Sequence, residues 1–163
     1  MHFMEKCNLS VYHYSRVTAS ERTVCTMTDV VQVYDYRFPN TDWPIMRFRV
    51  RISEIARSRG FEIESWEEDG LGQAHGMLLR LPSGRVILVR ELQHGIDHFR
   101  EMGPYVHIDA AVVAEFGVEP LMSEVLTSLG LSPQIVDWQA SGEAQQSAID
   151  FVKWAAAYRK QKE

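Results

Sequence analysis

Two cysteines, Cys7 and Cys25, are all that the 163 residues contain. That is too few for a disulfide scaffold, and it favours two reduced thiols in a cytoplasmic protein. Long hydrophobic runs are missing as well. The longest near the middle, Val86-Ile87-Leu88-Val89, is the length of a strand. It falls far short of the roughly 18 apolar residues that a membrane span takes. The first ten residues lack the apolar core of a signal peptide, so the expectation is a soluble protein with no membrane partner. Positive charge is in short supply: 17 Lys and Arg stand against 22 Asp and Glu, a net charge of −5. Such a chain lacks the global field of most nucleic-acid binders, although a local basic patch stays open. No Gly/Ser-rich or Pro-rich linker and no fixed-period repeat divides the sequence. One domain over residues 1–163 is expected. Residues 1–26, polar and rich in Thr and Ser, form either a peripheral appendage or an extra strand or two.

What is present suits a mixed fold. Asp29 to Phe38, rich in Val and Tyr, reads as a strand that Pro39-Asn40 ends. Thr41 or Asp42 can cap a helix with Pro44 in its first turn and Gly60 as its stop. On that helix Ile45, Phe48, Ile52, Ile55 and Ala56 share a face. A rival strand pattern runs through the same residues, because Arg47 to Ile52 alternate strictly. The helix is preferred, since the strand leaves a helix of barely two turns. Phe61 to Trp66 alternates as a strand with Phe61 and Ile63 inward. His75–Leu81 and Arg85–Glu91 are the clearest strands. Pro82-Ser83-Gly84 joins them into a hairpin, and apolar residues on both faces put it mid-sheet. Strands at Tyr105–Asp109 and Gln134–Trp138 follow, with helices at 110–116, from Pro120 to Gly130, and over about 142–160. The order predicts an α+β fold: a mainly antiparallel sheet of about five to six strands, with helices packed on one face.

Four groups of residues carry candidate chemistry. His94 and His98 are four apart, so on a helix they can share a metal ion, with His107, Glu91, Asp97 or Asp109 completing the ligands. Zinc chemistry would follow, yet Gly95 stands where a His-Glu-x-x-His signature has its general base. His107 and Asp109 alternate on one strand and can pair to orient a base, but no nucleophile is marked beside them. Arg47, Arg49, Arg51, Arg57 and Arg59 are a possible phosphate-binding set in the segment 47–59; on a helix they spread around most of the circumference. Glu62, Glu64, Glu67, Glu68 and Asp69 surround Trp66. The bland explanation of that cluster is a solvated sheet edge. The sharper one is an acidic surface with an aromatic anchor for a basic partner.

With no coherent catalytic set, the leading expectation is a non-catalytic, cofactor-free protein-binding module. In type it is similar to the small acidic immunity or antitoxin partners of toxins. Glu64, Trp66, Glu67 and Glu68 would make the contact. A metal-dependent hydrolase built on His94, His98 and His107, with zinc as cofactor, is the alternative; it requires stoichiometric metal that is lost in His94→Ala. Nucleic-acid binding through residues 47–59 ranks third. The last helix adds a homodimer to the possibilities, because Phe151, Trp154, Ala155 and Tyr158 give it an apolar arc wider than one packing face needs.

Overall fold

The computed structural model describes residues 29–68, 72–92 and 103–162. Residues 1–26, Cys7, Cys25, His94 and His98 lie outside these. The elements run β1 (Val31–Val33), β2 (Asp42–Phe48), α1 (Ile52–Arg59), β3 (Glu64–Glu68), β4 (Gly72–Arg80), β5 (Val86–Leu92), β6 (Tyr105–Asp109), α2 (Ala110–Phe116), α3 (Val118–Leu129), β7 (Val136–Gln139) and α4 (Glu143–Lys160). All the pairings are antiparallel, and the sheet has seven strands in the order β1-β4-β5-β6-β2-β7, with β3 also paired to β4. This is the expected α+β architecture, with one strand more than the sequence patterns suggested.

The β4–β5 hairpin forms as its turn residues require. Gly84 takes φ +88°, and the Leu81 N–H donates to the Arg85 carbonyl at 2.7 Å, which closes the turn. Both strands are interior to the sheet. One face of the central strands supplies Met77, Leu79, Ile87, Val89, Val106 and Ile108 to a single core. Ile52 and Ile55 of α1, Val113 of α2, Leu121, Val125 and Leu129 of α3, and Ala148 of α4 pack into that same core. All four helices therefore lie on one side. The opposite side carries the alternate residues of each strand.

Residues 41–60 depart from the expected single helix. The strict alternation of Arg47 to Ile52 marks the real strand only as far as Phe48. Chain reversal at Arg49 to Arg51 then starts a helix of eight residues. Tertiary burial decides the outcome: Ile45, Met46 and Phe48 are fully buried between β6 and β7, a site that a lone amphipathic helix cannot use. Pro44 is tolerated because the β2–β6 register shifts between Pro44 and Met46, and β7 reaches only Met46 to Phe48. The first strand shrinks to Val31–Val33, with Asp35 at φ +56° turning the chain soon after it. The strand expected from Phe61 begins instead at Glu64; Phe61 packs on the core, and Ile63 is exposed.

Candidate functional site

The sheet face away from the helices gathers polar and aromatic groups. In register, Arg90 of β5, Tyr105 of β6, Arg47 of β2 and Trp138 of β7 form one row across four strands. Arg47 Nε bonds Asp137 Oδ1 at 2.8 Å, its Nη1 donates to the Tyr105 hydroxyl at 3.2 Å, and its guanidinium lies 5.5 Å from the Tyr105 ring centre. Tyr105 meets Trp138 edge-on at 5.6 Å. Beside this row His107 is buried at 4% exposure, with Nδ1 at 2.9 Å from Asp42 Oδ2. The hydrogen bond from His107 holds the Asp42 carboxyl below its ordinary pKa against the opposing effect of burial, with help from the charges of His107 and Arg90.

The sequence pairs His107 with Asp109, and the structure corrects this. Two positions along one strand are roughly 7 Å apart. Asp42, on the neighbouring strand and diagonal to His107, reaches it instead. Asp109 is occupied elsewhere: its Oδ1 accepts from the Ala111 N–H at 2.8 Å, capping α2, and from Asn40 Nδ2 at 2.9 Å, while its Oδ2 accepts from the Asn40 N–H at 3.0 Å. The sequence hides the Asp42–His107 pair, because a helix capped at Thr41 or Asp42 conceals the strand parity of Asp42. The pairing with Asp42 orients the His107 imidazole on this face of the sheet.

The metal candidates divide. His94 and His98 fall outside the described residues. Glu91, offered as a ligand or base, is buried at 2% exposure and caps α1: Oε2 accepts the Ile52 N–H at 3.0 Å and Oε1 pairs with Arg51 Nη2 at 2.5 Å. Among the described residues, no group of three or more His, Cys, Asp or Glu is placed to hold a metal ion.

The arginines of 47–59 disperse over three environments. Arg47 belongs to the row described above, and Arg51 pairs with Glu91. Arg59 donates to the Leu129 carbonyl at the end of α3, and Arg49 and Arg57 are exposed. They form no single stripe along one helix.

The acidic segment becomes strand β3. It pairs with β4 from Glu64↔Gly76 to Glu68↔Gly72, and no described strand lies on its other side. β1 occupies the remaining length of the same β4 edge. The Gln32 side chain bridges the two segments, donating to the Glu62 carbonyl at 2.7 Å and accepting from the Glu62 N–H at 2.8 Å. Trp66 is half-buried. Its ring lies over Gly76, where a Cβ would overlap it and would also meet the Val89 carbonyl oxygen at 3.0 Å. Glu64 and Glu67 are exposed, with Glu64 on the Trp66 face and Glu67 on the other, as a period of two dictates. Glu68 ends the strand, paired through its backbone. Ser65 Oγ lies 2.7 Å from His75 Nδ1 across the pair, a contact that the sequence did not suggest.

No helix among the described residues is long and apolar enough to cross a membrane. Comparison of the chain with known protein families, with curated proteins and with solved structures finds no match.

Proposed function

We propose that this protein is a non-catalytic binding module that presents strand β3 to a basic segment of a partner protein. One observation carries the reading: a half-buried tryptophan sits on a sheet-edge strand with exposed glutamates on both of its faces. An extended partner strand added beside β3 would take its backbone hydrogen bonds from the open edge. It would meet Glu64 on one face and Glu67 on the other, so alternate basic side chains find an acid whichever way they point. Trp66, seated on Gly76, offers a rigid apolar contact at little cost in side-chain entropy. The carboxylates speed encounter and make it salt-dependent. An immunity- or antitoxin-type inhibitor is one biological form of such a module.

The test is a paired capture from the source lysate with wild-type protein and with Glu64→Lys/Glu67→Lys. Both residues are exposed, so the variant keeps the fold. A partner rich in Lys and Arg, held by the wild type, released by salt and absent from the variant, supports the proposal. The same set of proteins recovered with both baits refutes it.

A further inference from the structure

Helix α4 is 18 residues long, yet Ala148 is its one buried residue. Its inner side packs on α2, with Gln145 Nε2 donating to the Ala114 carbonyl at 3.1 Å. An aromatic ladder runs from the sheet onto the exposed side of the helix. Trp43 of β2 meets Phe151 at 5.8 Å between ring centres, Phe151 meets Trp154 at 5.8 Å, and Trp154 stacks on Tyr158 at 5.6 Å, with Lys162 Nζ a further 4.8 Å from the Tyr158 ring. Trp154 is 60% exposed and Tyr158 47%. Singly exposed apolar residues are ordinary, but two adjoining rings on one helix face are the composition of an interface centre.

The charge of α4 is segregated along its length. Its acids, Glu143 and Asp150, lie in the first half; Lys153 and Lys160 lie in the second and Lys162 just beyond its end, while Arg159 donates to Asn40 Oδ1 of its own chain at 3.0 Å. A second copy of α4 running antiparallel places each acidic half against a basic half. A parallel copy would set like against like. Trp154 and Tyr158 lie near the middle of the stripe Ser147, Phe151, Trp154, Tyr158, Gln161, so an antiparallel pairing about Trp154 brings the exposed rings of the two copies together. Ser147 and Ala157 are small and exposed on the outer side, where they let a second backbone approach. Trp154 and Tyr158 are 19° from parallel and stack on one another, so each ring already has one face covered.

We infer that the exposed face of α4 is a self-association surface on which two copies of this chain pair antiparallel about Trp154. The helix is about 27 Å long. Such a strip buries on the order of 1,000 Å² over both copies, at the low end of specific interfaces. The dimer is therefore weak and concentration-dependent.

Sedimentation equilibrium over a range of concentrations tests this. Wild type is expected to move from one chain mass toward twice that mass. Trp154→Glu is expected to weaken association by roughly thirtyfold or more with unchanged far-UV circular dichroism, and Tyr158→Glu to act likewise, because both residues are exposed. Direction is read by cross-linking in a Cys7→Ser/Cys25→Ser background. Ser147→Cys mixed with Gln161→Cys should form a disulfide between chains, and Ser147→Cys alone should not. A single chain mass at all concentrations overturns the inference, as does a dimer indifferent to both Trp154→Glu and Tyr158→Glu. Efficient cross-linking of Ser147→Cys with itself overturns the antiparallel arrangement.

Discussion

Removing Glu91 should unseat the start of α1. The residue before that helix is Arg51, whose side chain makes no capping hydrogen bond, so the first turn depends on a carboxylate supplied from β5. Glu91 Oε2 accepts the Ile52 N–H at 3.0 Å inside the core, where water cannot replace it. A hydrogen bond to a charged group contributes about 1.5–3 kcal/mol, and stranding a buried donor costs about as much. The Arg51 pair adds little, because Arg51 is 44% exposed and regains hydration when its partner is removed. Glu91→Ala should therefore lower stability by about 2–3 kcal/mol, dominated by the Ile52 contact. Arg51→Ala should cost about 1–3 kcal/mol, because it leaves the buried Glu91 carboxylate without its charged partner. Urea unfolding followed by circular dichroism measures both, and hydrogen exchange at Ile52 to Ile55 locates the effect. The reasoning fails if Glu91→Ala lies within about 0.5 kcal/mol of wild type, the range of an ordinary surface change. It also fails if hydrogen exchange at Ile52 to Ile55 is unchanged in Glu91→Ala.

Two further substitutions probe the other sites. Gly76→Ala should displace the Trp66 ring and cost about 1–3 kcal/mol, with a shift in tryptophan fluorescence; an unshifted spectrum at wild-type stability would show that the ring is not seated there. The depressed pKa of Asp42 makes it a stabilising group above its unfolded pKa of about 3.9, and that contribution is lost as pH falls through the lower folded value. Asp42→Asn should accordingly flatten the acid limb of a plot of urea midpoint against pH, and an unchanged limb would contradict the assignment.

Local signals carried much of the fold into the sequence. Pro82-Ser83-Gly84 identifies the hairpin, Gly130 ends α3 at φ +63°, and the periodicity of 143–160 survives as α4. Contacts between distant residues were not legible. Asp42 reads as a helix cap until β2 is known to pair with β6, and only then does its side chain fall beside His107. Glu91 reads as a potential ligand until α1 is known to begin at Ile52, 39 positions earlier. The acidic segment shows the reverse case. Its composition was plain, and what the structure adds is the strand parity that divides Glu64 from Glu67 and the glycine on which Trp66 rests.

The place of β2 in the sheet bears on how this chain is made. Strand β2 is complete once residue 48 has been synthesised, but its two neighbours are β6, at 105–109, and β7, at 136–139. At about 5–20 residues per second, a nascent chain waits several seconds between the first event and the last. Until β6 at least has been made, Ile45, Met46 and Phe48, all fully buried in the finished fold, have neither of these neighbours to pack between. The β4–β5 hairpin can form meanwhile, because its strands are adjacent in sequence. Closure of the sheet must follow emergence of the β7 segment, so β2, made early, is the strand that waits longest for its last neighbour.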